Sequence, residues 1–234
     1  MQGISWKGVY MRNIILASGS PRRKELLAQA GYDFVIEVSD ADENIERKEP
    51  GALVEELSRR KAGAVADLHR GQKDSAAKGD ADTVVPACDG EKSDGAGGVL
   101  TIIGADTVVA LDGQILGKPD GEEDAMRMLR ALSGHTHQVY TGVSLFLLRD
   151  GQTVAQDTFH VCTDVHMREI SEEEIHRYVA TGEPMDKAGA YGIQGKAAVF
   201  ISGICGDYYN VVGLPVCELV SRMRRLWKEN GIHE

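Results

Sequence analysis

The spacing of apolar residues alternates between a helical and a strand period along the chain, beginning at residue 13. Residues 13–17 form a short apolar run that is typical of a buried strand. Pro21 suits the first turn of a following helix, because the N–H group that proline lacks is not needed there. Leu26 and Leu27 give this helix an apolar face, and Gly31 is expected to cap its C-terminus. The segment therefore predicts a strand, a turn and a helix in that order.

The rest of the chain continues this mixture of helices and strands. Further helices are predicted at residues 52–68, 122–132, 172–180 and 214–229. Further strands are predicted at residues 33–38, 99–111, 114–116, 137–148, 153–165, 197–201 and 210–212. Asp112-Gly113 predicts a hairpin turn, and Ser171 with Glu174 predicts a capping box. Because helices alternate with long hairpins, we expect an α/β fold with a mixed sheet.

Two segments differ in composition from this pattern. Residues 69–98 are rich in Gly, Asp, Ser and Lys and show little periodicity, which predicts a disordered insertion. Residues 1–12 precede the first strand and lack the apolar core of a signal peptide, so we interpret them as an N-terminal extension. Residues 13–230 are predicted to form a single domain.

The composition limits the classes of partner that the protein can have. Its net charge of −10 argues against broad nucleic-acid binding, which needs a basic surface, but permits a local basic pocket for a small anion. The sequence contains no run of about 18 apolar residues, so we expect no membrane span. The four cysteines form no CxxC pair, which argues against a zinc or thioredoxin-type site and favours the reducing cytoplasm.

Two adjacent arginines follow the first predicted strand, in the sequence Ser-Gly-Ser-Pro-Arg-Arg. The guanidinium groups of Arg22 and Arg23 match phosphate oxygens as bidentate donors. Serines such as Ser18 and the backbone N–H groups of a helix N-terminus add affinity for an anion. The alternative is a solvated pair, although arginines at this end of a helix are electrostatically disfavoured without an anion. The spacing is not that of a Walker A loop, so the motif indicates a phosphate site of another kind.

An aspartate interrupts the apolar strand predicted at residues 99–111. Burial of the Asp106 carboxylate without a partner would be costly, and turn residues do not surround it. We therefore favour a functional carboxylate that acts as a general base or as a metal ligand. In a regular strand Thr107 would face the opposite side, so a bulge would be needed for both side chains to reach one ligand.

Further charged residues would complete a site for phosphate and metal. Lys118 ends a predicted strand in Gly-Lys-Pro, and Lys61 lies within a predicted helix. Asp40, Asp42 and Glu43 form an acidic cluster suited to a hard cation such as magnesium. Each of these groups alone is more typical of a solvated surface, and only their combination with the arginines indicates a site.

A glycine-rich segment at residues 186–195 offers a means of reading a nucleobase. Its glycines permit close approach of the backbone to a ligand. Gln194 carries both a donor and an acceptor, which suits the edge of a base. The alternative is a structural loop with a glutamine that faces solvent, and the residues alone do not decide between the two.

Taken together, these motifs resemble those of the Maf family of nucleoside triphosphate pyrophosphatases. They extend in the family's order from residue 13 to about residue 219, with the 69–98 segment as a departure. The matching segments are LASGSPRRKELL, DADE, RRKA, IIGADTVV, ILGKP, LSGHTHQVYTGV, EPMDKAGAYGIQG and GDYYNVVGLPV. The form GAYGIQG is similar to the subfamily that acts on dTTP and UTP rather than on 7-methyl-GTP.

The resemblance implies a role for individual residues. Asp106 matches the family's catalytic carboxylate, which is usually described as the proton acceptor. The positions tied to substrate choice are matched by Arg22, Thr107 and Gln194. The remaining active-site positions are matched by Ser18, Arg23, Glu43, Lys61 and Lys118. Of these, Glu43 is assigned with Asp106 to a divalent cation, Mg or Mn, and the other four to the phosphates.

The resemblance also implies a fold and a reaction. The family fold is an elongated α/β structure with a mixed, curved sheet, flanking helices and a central cleft, like that of the inosine triphosphate pyrophosphatases, and dimers are common. We expect a cytoplasmic enzyme that hydrolyses dTTP and UTP, or modified pyrimidine nucleotides, to the monophosphate and pyrophosphate in house-cleaning of nucleotide pools. A second hypothesis is a regulatory binding module, of the kind linked to septum formation, without essential catalysis.

Overall fold

The computed structural model describes residues 13–38, 40–42, 45, 49–70 and 98–232. Its helices are α1 (Pro21–Gln29), α2 (Pro50–Leu68), α3 (Glu122–Leu132), α4 (Glu172–Val179), α5 (Tyr208–Val212) and α6 (Val216–Glu229). Its strands are β1 (Asn13–Leu16), β2 (Val35–Ile36), β3 (Val99–Leu111), β4 (Gln114–Leu116), β5 (Thr136–Arg149), β6 (Gln152–Met167) and β7 (Ile201–Cys205). Short 3-10 helices occupy Glu183–Asp186, Ala188–Ala190 and Lys196–Phe200. None of the helices in these ranges has the length and apolar character needed to cross a membrane.

The strands form one mixed sheet in the order β2-β1-β3-β5-β6-β7, with β4 paired to β3. β1 runs parallel to β2 and to β3. The pairs β3–β4, β3–β5, β5–β6 and β6–β7 are antiparallel. The predicted α/β class with a mixed sheet and flanking helices is confirmed. The predicted insertion at residues 69–98 lies outside the described residues except at its two ends, and so does the predicted extension at residues 1–12.

Helices cover both faces of this sheet, because successive strand residues point to opposite sides. On one face α2 packs over Ile102 and Phe146. On the other face α1 and α6 pack over Ile103, and Trp227 of α6 is fully buried. The Trp227 indole N–H donates to Thr101 Oγ1 at 2.9 Å, which satisfies the buried polar group. A further core lies between α3, α4 and the ends of β5 and β6.

One edge of β3 is only partly paired. β5 pairs with the opposite edge along its whole length, from Val99 to Ala110. On the partly paired edge, β1 ends opposite Ile103 and β4 ends opposite Val109. Among the described residues, no strand pairs with residues 104–108 on this edge, which we name the β3 gap. The loop after β1 and the turn after β4 therefore leave the sheet at the two ends of the same gap.

Two predicted strands near the C-terminus are wrong. Residues 210–212 belong to α5, because the Asp207 carboxylate caps this helix by accepting from the Tyr209 N–H at 2.8 Å. Most of the strand predicted at residues 197–201 is a 3-10 helix, and β7 begins only at Ile201. The buried residues Ala197 and Phe200 are three apart, which fits a 3-10 helix better than a strand. In both segments the apolar, β-branched composition suggested a strand that local capping and packing override.

Candidate active site

Arg23 ties together three segments at one end of the β3 gap. Its Nε donates to the Gly213 carbonyl oxygen at 2.9 Å, after α5. One terminal nitrogen, Nη1, donates to Ser18 Oγ at 3.0 Å, and the other, Nη2, donates to Thr107 Oγ1 at 3.0 Å. At least three of its N–H groups are thus directed at protein atoms, and Ser18 is buried beneath it. The predicted phosphate-binding pair Ser18 and Arg23 is brought together in this way.

Lys61 and Asp106 form an ion pair on the other face of the sheet. Lys61 Nζ lies 2.6 Å from Asp106 Oδ1, with the two side chains 18% and 16% exposed. Lys61 is carried by α2, which lies close to β3 because Gly104 has no side chain. A Cβ at Gly104 would come within 2.8 Å of the Ala62 backbone nitrogen. Asp106 is therefore a largely buried carboxylate with a cationic partner. The ion pair offsets part of the free energy that burial of the carboxylate costs.

The bulge that would bring Asp106 and Thr107 to one side is absent. The β3–β5 register runs without a shift from Val99 to Ala110, with Asp106 opposite Gly142 and Thr107 opposite Thr141. Asp106 therefore faces α2 and Thr107 faces α1 and α5, the opposite sides expected of a regular strand. Both residues lie within the β3 gap.

The segment predicted to read a base packs against β3 next to this gap. The Gly189 N–H donates to the Gly117 carbonyl oxygen at 3.0 Å, so the segment is attached to the turn that carries Lys118. Gly189 has φ +67°, and a Cβ there would meet Val109 of β3 at 2.9 Å. Only glycine combines this backbone conformation with such a close approach. Gly189 is thus explained by its packing against β3, whereas a Cβ at Gly192 or Gly195 would meet the side chain of Lys187 or Glu183.

Arg22 lies near the same segment. The hydrogen bond from Lys187 lowers the pKa of Asp186, and the positive charge of Arg22 lowers it further. Lys187 Nζ is 2.6 Å from Asp186 Oδ1 and also donates to the Glu183 carbonyl oxygen at 2.8 Å. Arg22 is therefore near enough to Asp186 for its charge to be felt, whereas its neighbour Arg23 donates to Thr107 Oγ1.

Two of the predicted site residues that the structure describes are not tied into these contacts. Lys118 and Gln194 are exposed at the surface. Within the described ranges, neither side chain makes a hydrogen bond or an ion pair. Glu43, the second predicted metal ligand, lies outside the described residues. The described members of the predicted set thus divide into Arg23 with its two partners, the Lys61–Asp106 pair, Arg22 near Asp186, and two exposed side chains.

Buried polar contacts hold the segment at residues 186–195 in place. His137 Nε2 lies 2.7 Å from the Tyr191 hydroxyl, and both residues are buried. Burial lowers the pKa of His137 to about 4, so this imidazole is neutral near pH 7. The Glu183 carboxylate accepts from the Tyr178 hydroxyl at 3.0 Å and from the Lys196 N–H at 3.0 Å. The segment that carries Gln194 is therefore anchored to β5 and α4.

Sequence reasoning missed the residues behind Thr107. Thr141 Oγ1 lies 3.0 Å from Thr107 Oγ1 and donates to the Asn210 carbonyl oxygen at 2.9 Å. The Asn210 side chain donates to the Val139 carbonyl oxygen and to Thr163 Oγ1, both at 2.9 Å. A polar asparagine within the apolar run Asn-Val-Val was a usable signal for such a contact. Its partners lie more than 45 residues away in sequence, so no local pattern identified them.

The residues present fit a hard divalent cation in a limited way. Among the described residues, no cluster of three or more His, Cys, Asp or Glu side chains could hold a metal ion. Asp106 Oδ1 accepts from Lys61, while Oδ2 accepts no hydrogen bond from the described part of the chain. One carboxylate of this kind suits a cation such as Mg²⁺ that takes its other ligands from substrate phosphates and water.

A groove of about 400 Å³ lies elsewhere, and no predicted site residue lines it. It runs between β6 and the start of α6 and is open to solvent. Its lining consists of His160, Val161, Gly206, Asp207, Cys217 and Glu218. Because its lining lacks a cationic cluster, this groove does not suit a triphosphate.

Comparison with known proteins agrees with the sequence motifs. The chain matches the family described as Maf-like protein over residues 13–226. A dTTP/UTP pyrophosphatase of Agathobacter rectalis is 49% identical over 216 residues, which cover 92% of this chain and 98% of that protein. Proteins of the same name from Alkaliphilus metalliredigens and Bacillus mycoides are 48% and 45% identical. The Alkaliphilus match covers 89% of this chain and 93% of the relative, and the Bacillus match covers 92% of this chain and 96% of the relative.

A solved structure also aligns over most of the chain. It is the nucleoside-triphosphatase, a dITP/XTP pyrophosphatase, of Mycobacterium abscessus, with 13% identity. The alignment covers 94% of this chain and 97% of the other at a TM-score of 0.33. Because this TM-score is low, the fold is described from the sheet order alone.

Proposed function

We propose that this chain, which belongs to the Maf family, hydrolyses dTTP and UTP to the nucleoside monophosphate and pyrophosphate. It is a nucleoside triphosphate hydrolase that acts on the bond between the α and β phosphates. The observation that carries the proposal is the Lys61–Asp106 pair, which lies at the β3 gap beside the Arg23 group. The pair and the Arg23 group support a site in which one carboxylate would act among several cations.

The cations of the site offset the charge of the substrate. Negative charge accumulates on phosphate oxygens during phosphoryl transfer, and fixed cations stabilise it. Arg23 and Lys61 approach the gap from opposite faces of the sheet, and Lys118 lies on the turn at one end of it. Together with Arg22 they would offset the charge of a tetra-anion on a protein with a net charge of −10.

Asp106 is the proposed catalytic carboxylate. Lys61 holds Oδ1, which orients the group and directs Oδ2 toward the ligand. Oδ2 either accepts a proton from the attacking water or binds a divalent cation, and both roles need an ionised carboxylate. Glu43 and Asp106 would hold a Mg²⁺ or Mn²⁺ ion, which when bound supplies a Lewis acid for the phosphates.

The residues proposed to select the base are Thr107, Arg22 and Gln194. Thr107 lies within the gap itself, and the charge of Arg22 is felt at Asp186, in the segment that also carries Gln194. Gln194 would pair with the edge of uracil or thymine through its amide. A site built on such bonds rejects bases that leave its polar groups unpaired.

The proposal also covers the setting of the reaction. The enzyme would act in the cytoplasm, where the exposed thiols of Cys162, Cys205 and Cys217 stay reduced. Its partner is the nucleotide substrate, with a second copy of the chain as a further proposed partner and no role for nucleic acid. The alternative of a regulatory module without essential catalysis is not favoured, because the relatives are named for an enzymatic activity.

A nucleotide panel tests this function. The protein is incubated with dTTP, UTP, CTP, GTP and ATP in the presence of Mg²⁺ or Mn²⁺, and pyrophosphate and orthophosphate are measured separately. We expect pyrophosphate as the first product, with dTTP and UTP the best substrates. Orthophosphate as the first product would contradict cleavage between the α and β phosphates. A preference for purine nucleotides would contradict the assigned substrates while leaving the reaction intact.

A further inference from the structure

We propose that Thr141 and α5 fix the hydroxyl proton of Thr107, so that Thr107 offers the substrate only a hydrogen-bond acceptor. Such an acceptor selects a base with an imide N–H, as in uracil and thymine, and rejects cytosine. The inference rests on the proposed function and deepens it. It assigns a role in base selection to Thr141, a buried residue that does not touch the β3 gap itself.

The contacts of Thr107 form a short chain of hydrogen bonds. Thr107 and Thr141 lie directly opposite each other in the β3–β5 pair, with their Oγ1 atoms 3.0 Å apart. Thr141 is fully buried, and its Oγ1 lies 2.9 Å from the Asn210 carbonyl oxygen of α5. Arg23 Nη2 donates to Thr107 Oγ1 at 3.0 Å from the other side. The Thr107 hydroxyl thus has two protein partners of different chemistry.

The chemistry of these partners sets the direction of each hydrogen bond. A carbonyl oxygen can only accept, so Thr141 donates its single hydroxyl proton to Asn210. That proton is then not available to Thr107, and Thr107 must donate its own proton to Thr141. The Thr107 oxygen also accepts from Arg23, because a guanidinium can only donate. A hydroxyl has one proton and two acceptor sites, so one acceptor site of Thr107 remains for a ligand.

The carbonyl that begins this chain is held firmly. Asn210 is fully buried, and its amide nitrogen donates to the Val139 carbonyl oxygen and to Thr163 Oγ1. A flipped amide would place two acceptor oxygens against each other at Val139, so the orientation is fixed by the network. Thr163 Oγ1 in turn donates to the Asp207 carbonyl oxygen and accepts from the Asp207 N–H, both at 3.1 Å. These contacts pin α5 against β5 and β6.

The fixed proton distinguishes between pyrimidine bases. Uracil and thymine carry a donor at N3, whereas cytosine carries a lone pair there. Thr107 is half-buried at the β3 gap, and a base bound there would meet its free acceptor site. The uracil N3–H would bond to this site, and the cytosine N3 would face it lone pair to lone pair. A buried polar group left unpaired in this way lowers the rate of the poorer substrate.

The test compares kcat/KM for UTP and CTP in the unsubstituted protein and in Thr141→Val. Valine cannot accept the Thr107 proton, so the Thr107 hydroxyl would rotate and donate to cytosine N3. We expect the UTP-to-CTP ratio to fall by about tenfold in this variant. Thr141→Ser keeps the hydroxyl and should retain the original ratio.

A matched control distinguishes the effect of the Thr107 proton direction from the effect of a less firmly held α5. Thr163→Val weakens the hold on α5 from its other side and should lower Tm while keeping the UTP-to-CTP ratio. An unchanged ratio in Thr141→Val, or an equal fall in Thr163→Val, would overturn the inference.

The unsubstituted protein should also reject 3-methyl-UTP, which lacks the imide proton, and equal use of UTP and 3-methyl-UTP would overturn the inference without any variant. Absence of pyrophosphate release from UTP by the unsubstituted protein would overturn the proposed function and this inference together.

Discussion

Arg22 and Arg23 are adjacent on α1, but their side chains have different surroundings. Arg23 bonds to Gly213, which is 190 residues away in sequence, and to Thr107, which is 84 residues away. The hydrogen bond from Lys187 lowers the pKa of Asp186, and the positive charge of Arg22 lowers it further. The sequence predicted that both arginines belong to an anion site, because their position at a helix N-terminus is local information. It could not predict their partners, because those contacts depend on how distant segments pack.

His137 is a residue whose burial makes stability depend on pH. Burial lowers its pKa to about 4, while the unfolded chain has a value near 6.5. Between these values the unfolded state binds more protons than the folded state, so folding is less favourable as pH falls. We expect the free energy of unfolding to decrease by up to about 3 kcal/mol from pH 6.5 to pH 4 through this group.

The variant His137→Gln isolates this contribution. Glutamine does not titrate, so the stability of the variant should fall less steeply over the same pH range, whatever its absolute stability. Urea denaturation of both proteins at pH 7, 6, 5 and 4 gives the two slopes. Parallel slopes would show that His137 is not the buried neutral group that the contacts with Tyr191 indicate.

At the scale of elements, the distance between α2 and the sheet depends on two glycines. A Cβ at Gly104 would collide with the Ser58 carbonyl oxygen, and a Cβ at Gly142 would collide with that of Val54. The two glycines lie on neighbouring strands, β3 and β5, beneath the same helix. Because α2 rests directly on this backbone, Lys61 is placed within reach of Asp106.

Gly104→Ala should therefore disturb stability and activity together. The added methyl group forces α2 away from β3, which costs about 1–3 kcal/mol by overpacking. The same movement separates Lys61 from Asp106, so the rate of pyrophosphate release should fall. Urea denaturation and the kcat for dTTP measure the two effects.

Gly63→Ala is the matched control on the same helix. A Cβ at Gly63 would meet the Phe146 ring at 3.7 Å, an ordinary contact distance. Alanine in a helix interior is favoured over glycine by about 0.5–1 kcal/mol, so this variant should be as stable as the unsubstituted protein or more so. If both variants behaved alike, the close approach at Gly104 would not be what sets the position of α2.

The elements that sequence predicted best are those with local signals. Asp112 and Asp150 both have positive φ and are followed by glycine, so each hairpin turn was readable from two residues. The capping box of α4 was equally local, with the Ser171 hydroxyl accepting from the Glu174 N–H at 3.3 Å. The strand predicted in place of α5 was wrong because a five-residue helix is stabilised by its cap and by buried contacts of Asn210. Those contacts are not encoded in neighbouring residues.

At the scale of the whole molecule, the site is a product of sheet topology. The sequence predicted a mixed sheet, but no local pattern shows that β1 and β4 share one edge of β3. That shared edge creates the β3 gap and brings the Ser18 loop and the Lys118 turn to its two ends.

Asp106→Asn tests the central claim, that the carboxylate in the β3 gap carries catalysis. Asparagine keeps the shape of the side chain and can still accept from Lys61, so the fold should survive, but it cannot act as a base or as an anionic ligand. The direct measurement is the rate of pyrophosphate release from dTTP with Mg²⁺, with thermal unfolding as the check on folding. We predict a loss of at least about a hundredfold in a folded variant. A folded Asp106→Asn protein that releases pyrophosphate at the original rate would contradict the account.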